Sequence, residues 1–405
     1  MENIKASGLS PKRLQYVDDY LQRIVDTKQG AGVSAMIIRH GVTAYRKSFG
    51  MADVANNKPM TPEAIFRLFS MTKTFTIVAA MTLYEKGLFK LRDPISDFLP
   101  EFANMQVGEY DERGIMQLVP AKTPVTFEHL FTMTSGVKHP MLYTRHSPYS
   151  SLGPKPENAP AEDKPPTTAE LVASIAKEPL FFHPGEQWMY GFSHDVLGRL
   201  IEVISGKRFG EYLKDTIFDP LGLQDTAFYV PAEKQSRLTK VYDILKDDIR
   251  EAAEGAMPTS TTPPAFESGG AGLCSTLDDV GLYAKMLLGN GKSGDVRILS
   301  RKTIELIRMN HLPRELYLKF GAKHIGFEQV MGYGYGLGVR TMLDRERAGL
   351  NDSVGEWAWD GALGTWYCVD PTEDMTAIFL IQRRPGSNGD LPLRFCQTVY
   401  SAIDD

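Results

Sequence analysis

The spacing of apolar positions shifts along the chain, and each shift marks an element. Residues 10–29 read as an amphipathic helix that opens at Ser10-Pro11 and stops near Gly30. Two runs rich in β-branched and aromatic residues follow, 32–38 and 42–49, separated by Arg39-His40-Gly41; they read as a β-hairpin. Residues 70–86 are apolar on nearly every side before Gly87, which predicts a helix buried in the core rather than laid on the surface. From about 90 to 265 helical patterns dominate, at 126–134, 168–177, 193–205 and 208–217. A polar, proline-rich stretch from His139 to Pro166 interrupts them. It is too long for a bare connector, so it is either a mobile lid or a surface excursion. Strand signals return at 334–342, 355–359, 365–369 and 375–382, and a last helix covers about 390–403. Strands at both ends with helices between imply an α/β (α+β) fold. Residues 1–88 and 266–405 form a composite domain, its terminal strands paired in a largely antiparallel sheet flanked by helices. Residues 89–265 form a mainly helical domain.

Charge narrows the function classes. The 45 basic and 50 acidic residues give a net charge of −5, with no basic footprint for nucleic acid or anionic lipid. No apolar run reaches the length of a signal peptide or a membrane span. Cys274, Cys368 and Cys396 are odd in number and far apart, and read as small buried apolar residues. A cytoplasmic setting is expected.

Three Ser-x-x-Lys pairs occur: Ser70-Lys73, Ser135-Lys138 and Ser174-Lys177. Gly136 ends a helix beside the second, and the third lies on a partly polar helix that is expected to face solvent. Only Ser70 opens a buried helix. Positions i and i+3 of a helix are neighbours, roughly 5–6 Å apart at Cβ. Burial disfavours an ammonium, so Lys73 is placed to take the serine proton. The helix N-terminus offers N–H groups where an oxyanion forms. The alternative is a serine that merely caps the helix and a lysine that reaches water. Tyr190 leaves a Pro-Gly turn just before another helix, where a hydroxyl can be aimed into a cleft as a proton relay or packed in the core.

Together these segments resemble the β-lactamase and penicillin-binding-protein superfamily, and most closely the family VIII carboxylesterases. The resemblance runs through Ser70-Met71-Thr72-Lys73, GLFKLRDPISDFLPEF, HLFTMTSG (129–136), HPGEQWMYGFSHDVLG, DPLGLQDTAFYV (219–230), GGAGLCSTLDDVGLYAKMLL (269–288) and WDGALGTWYCVDP (359–371). It implies a β-lactamase-like fold with the active site at the interface of the two domains. It also implies Ser70 as nucleophile with Lys73 and Tyr190 as its proton-handling pair, and an oxyanion hole from the backbone N–H groups of Ser70 and Ala362. Phe192, Trp359, Asp360 and Gly361 are expected to bind substrate. Where β-lactamases carry Tyr-x-Asn, this chain has Tyr190-Gly191-Phe192, and Trp359-Asp360-Gly361 stands in place of Lys-Thr-Gly. A carboxylated substrate therefore lacks a charge-assisted contact worth roughly 1.5–3 kcal/mol. Asp360 departs from the esterases as well, which carry glycine there, and is expected to discourage anionic acyl groups.

The expected activity is a carboxylesterase acting on small neutral acyl esters through a Ser70 acyl-enzyme. The rivals are an acyltransferase on the same residues, a β-lactamase or D-alanyl peptidase, and a non-catalytic binding protein of the same fold. No metal-ligand spacing and no G-x-S-x-G elbow is present, so no metal or cofactor is expected and an α/β-hydrolase is disfavoured. Ser193-His194-Asp195 reads as polar surface at a helix start, because consecutive residues point apart. The glycines of 269–272 read as a turn that needs positive φ. Tyr143, His146 and Tyr149 either line an acyl pocket or pack beneath a loop.

Overall fold

The computed structural model describes residues 2–137, 165–246, 248–253, 257, 260–320, 331–386 and 390–405. Residues 139–164 of the proline-rich stretch, read as a mobile lid or a surface excursion, with Tyr143, His146 and Tyr149, and Lys138 of the second Ser-x-x-Lys pair lie outside the described residues. The fold is of the α+β class, with a mainly antiparallel sheet. Its frame is an eight-stranded sheet ordered Tyr333–Tyr335, Arg340–Met342, Trp357–Ala358, Trp366–Asp370, Met375–Ile381, Gly32–Arg39, Val42–Asp53 and Lys58–Pro59. Every neighbouring pair is antiparallel, and the two ends of the chain meet at its centre, with Val33 opposite Ile381 and Ile37 opposite Ala377.

Both central strands are buried along their whole length, because each face of the sheet is covered. Side chains alternate across a strand. Val33, Ala35 and Ile37 therefore pack with Leu14, Val17 and Leu21 of the Pro11–Asp26 helix and Phe395 of the Asp390–Tyr400 helix. Met36 and Ile38 point the other way, into the core built around the Thr72–Glu85 and Leu277–Leu288 helices. The Thr72–Glu85 helix is buried from Thr72 through Leu83. Phe75 stacks on Tyr283 at 3.8 Å between ring centres, and Phe75→Ala is expected to cost about 3–5 kcal/mol.

Several sequence expectations need correction. The strand expected over 334–342 is two strands, turned between Tyr335 and Arg340, where Gly338 adopts φ +74°. The helical middle also contains a hairpin, Gln106–Tyr110 with Met116–Pro120, whose burial does not alternate, because Tyr110 and Leu118 are exposed beside Gln106, Glu109 and Gln117. The helix expected over 126–134 ends at Phe131, and Met133 turns the chain with φ +57°. Among the described residues, no helix is long and apolar enough to cross a membrane.

Candidate active site

Ser70 lies in the 3-10 turn Phe69–Met71 that leads directly into the buried Thr72–Glu85 helix. Phe69 adopts φ +48°, a left-handed conformation that costs a residue with a Cβ about 1–3 kcal/mol and is retained only where packing enforces it. The turn leaves Ser70 partly exposed, while Lys73 is almost fully withdrawn from water (3% exposed). Lys73 Nζ donates to the Gly270 carbonyl at 2.6 Å and to Ser70 Oγ at 3.3 Å. Tyr190 donates its hydroxyl to the same Ser70 Oγ at 2.6 Å. The ammonium also lies 4.5 Å from the centre of the Tyr190 ring. The serine, amine and phenol are thus in mutual contact.

Each partner is held from behind. Trp359, buried, stacks on the Tyr190 ring at 6.0 Å and 15°. Upstream, the Met133 carbonyl accepts from Met189 N–H and the Thr134 carbonyl from Gly185 N–H, so the 129–136 motif fixes the segment that carries Tyr190. Phe192 precedes the Ser193–Ser205 helix and packs against the main core. Gly361 is required by close approach: a Cβ there would stand 2.3 Å from the Leu68 carbonyl oxygen, two residues before Ser70. That contact brings the exposed Ala362 to the nucleophile turn, and among the described residues the Ala362 N–H donates no hydrogen bond.

Ser193, His194 and Asp195 are buried and not surface polarity. Asp195 accepts from Ser268 Oγ at 2.6 Å and from Gly270 N–H at 3.1 Å, and so anchors the loop whose carbonyl receives Lys73. Burial pushes the Asp195 carboxyl up, against these bonds and the Lys73 charge. His194 is held neutral, first by burial and then by the positive Lys73. The glycines of this loop also differ from expectation, since none has positive φ. They are needed for close packing: a Cβ at Gly269 would meet the His194 carbonyl at 2.3 Å, and one at Gly270 the Asp195 carboxylate at 2.7 Å.

The last feature is electrostatic. Arg340, buried, lies 3.7 Å from Asp360, whose side chain is 32% exposed. Burial pushes the Asp360 carboxyl up, and Arg340 and Lys73 oppose that push. A cation therefore does stand behind the 359–361 motif, but it is already matched.

A family model for β-lactamase matches residues 17–394. The chain belongs to the β-lactamase family. It is an enzyme of the serine-hydrolase type. Protein Rv1367c of Mycobacterium tuberculosis is 30% identical over 91% of this chain and 90% of its own length. Esterase EstB of Burkholderia gladioli is 27% identical over 95% of this chain and 94% of its own. Among solved structures, EstCE1, described as a hydrolase with promiscuous acyltransferase activity, superposes with a TM-score of 0.79 at 25% identity. The superposition covers 97% of this chain and 98% of that one.

Within this β-lactamase-family site, sequence reasoning missed Asp195 and Arg340. An acid five residues after Tyr190 and a pair of glycines at 269–270 were the available signals for the first. For Arg340, among short strand segments, the sequence carried none.

Proposed function

We propose that the chain is a carboxylesterase that cleaves small neutral acyl esters through an acyl-enzyme on Ser70. One observation carries the reading: Ser70 Oγ accepts from both Tyr190 and Lys73, within 3.3 Å. The Tyr190 and Lys73 pair accepts the Ser70 proton in the form that carries one proton fewer, phenolate beside ammonium or phenol beside neutral amine, as Oγ attacks the ester carbonyl carbon. In the first form the Lys73 ammonium, 4.5 Å from the ring centre, faces the phenolate charge. The oxyanion is received by the backbone N–H groups of Ser70 and Ala362. Collapse breaks the bond to the alkoxy oxygen, which regains the proton and leaves. Water then attacks the acyl-enzyme by the reverse proton path and frees the acid.

In this reading the cleft opens between the composite domain of 1–88 and 266–405, which supplies Ser70, Lys73 and Ala362, and the helical domain of 89–265, which supplies Tyr190. Trp359 and Gly361 act by shaping the site, and Phe192 and Asp360 border the substrate. Asp360 neutralises Arg340 and leaves no free positive charge for a substrate carboxylate. The three cysteines, all free and buried, favour action in a reducing cytoplasm.

A fluorophosphonate probe tests the mechanism. A single adduct mapped to Ser70 by mass spectrometry is expected, together with turnover of p-nitrophenyl acetate. An unlabelled Ser70 in active protein would defeat the reading. A second reading, acyl transfer to an alcohol, is favoured by the description of EstCE1. The ratio of ester to acid product with added alcohol separates the two.

A further inference from the structure

Alongside the nucleophile turn the molecule holds a second cleft, of about 210 Å³, that the acyl chemistry above does not use. Arg67, Phe69, Phe228, Phe266, Ser268 and Cys274 are among its lining residues. Among the described residues, no aspartate or glutamate lines it. The cleft thus presents one cation, three phenyl rings and no acid.

Arg67 ends the short strand Ile65–Arg67, whose pairing with Cys274–Thr276 sets it opposite Cys274. Its Nη1 donates to the Thr239 carbonyl at 3.0 Å. Its Nε is buried without an acceptor, and among the described residues no carboxylate forms an ion pair with it. Burial lowers the guanidinium below the usual arginine range, and the one opposing influence is Cys274. Burial pushes that thiol up, so it stays neutral and is no counter-ion. A partly buried cation without a counter-ion is costly, and the planar guanidinium fork matches a carboxylate with two parallel bonds. The rings suit an apolar body. The volume is below the roughly 300–1,000 Å³ of pockets for drug-sized ligands, so the occupant is small.

We propose that this cleft binds a small monocarboxylate with an apolar body, the carboxylate on Arg67 and the body against Phe69, Phe228 and Phe266. The inference stands apart from the role given to Ser70, and its test involves no turnover.

Isothermal titration of the full chain with benzoate, and with benzamide as the uncharged counterpart, decides it. Benzoate is expected to saturate a single site, with benzamide about 10–100-fold weaker. Arg67→Met is expected to erase that difference, and Arg67→Lys to retain part of it. Phe266→Ala is expected to weaken both ligands alike, and it carries the test if circular dichroism shows that Arg67→Met does not fold. Absence of saturable benzoate binding, equal affinity for the two ligands, or benzoate affinity indifferent to Arg67→Met or to Phe266→Ala overturns the proposal.

Discussion

Ser70-Lys73 and Ser174-Lys177 share one spacing, and both sit on helical turns, yet the fold treats them in opposite ways. Ser174 Oγ turns back onto the Glu170 carbonyl of its own helix at 2.9 Å, and Lys177 is exposed. Water can solvate that amine, and among the described residues no side chain orients it. Lys73 has lost its water and gained two fixed acceptors from different parts of the chain. Spacing brings a hydroxyl and an amine within reach; burial against named partners makes the amine's position specific. The third pair illustrates the same point from its serine, since Ser135 Oγ is taken by Ser193 Oγ at 2.9 Å.

The sharpest way to break this comparison is to remove each nucleophile candidate. Ser70→Ala is expected to reduce p-nitrophenyl acetate turnover on the order of 10⁶-fold. Ser174→Ala with Lys177→Ala is expected to change it by less than about twofold, because exposed substitutions away from a site have small effects. Equal losses in the two would collapse the distinction. Next in size, Tyr190→Phe deletes the 2.6 Å bond and the phenolic proton, for a loss of about 10²–10⁴-fold in kcat at unchanged helicity. Asp195→Ala then asks whether the fixed acceptor matters. Releasing the 268–270 loop is expected to cost about 10–100-fold in kcat, with a lowered melting temperature.

The smallest effect separates burial with partners from burial alone. Glu356 is fully buried and neither carboxylate oxygen has a hydrogen-bond partner among the described residues. Burial pushes its carboxyl from 4.5 to about 8, against the pull of Arg340. The folded chain therefore holds a proton there that the unfolded chain releases. Between about pH 4.5 and 8 this group contributes stability that falls as pH rises. Denaturant melts at pH 5 and pH 8 are expected to show that decline in the wild type and a flatter profile in Glu356→Gln. A steeper decline in the variant would reverse the assignment.

Much of this was legible in the sequence because the informative segments are local. The β-branched and aromatic runs at 32–38 and 42–49 predict a hairpin and the largely apolar stretch at 70–86 a buried helix, and both formed, as Gly32–Arg39 with Val42–Asp53 and as Thr72–Glu85. Ser70, Lys73 and Tyr190 stood out through helix placement and motif order, and the structure brings all three together. What escaped was decided by tertiary contact. Ser193-His194-Asp195 looks like solvent-facing polarity until the 268–272 loop closes over it, and glycines that seem to serve a turn are instead the surface against which it closes. The 334–342 strand reads as one because glycine keeps alternating with Tyr335, Leu337 and Val339 through the bend.

The anchor at Asp195 has a consequence for tolerance to change. Tyr190 and Asp195 belong to one short stretch of backbone at the mouth of the Ser193–Ser205 helix, so a single rigid piece gauges both the phenol and, by way of Gly270, the amine. The separation of Tyr190 from Asp195 is set by five residues of chain, whereas Lys73 meets that piece only through the Gly270 carbonyl. Ser70 and Lys73 share the other piece, three residues apart, and Phe69 at φ +48° sets the turn that joins them to the Ile65–Arg67 strand.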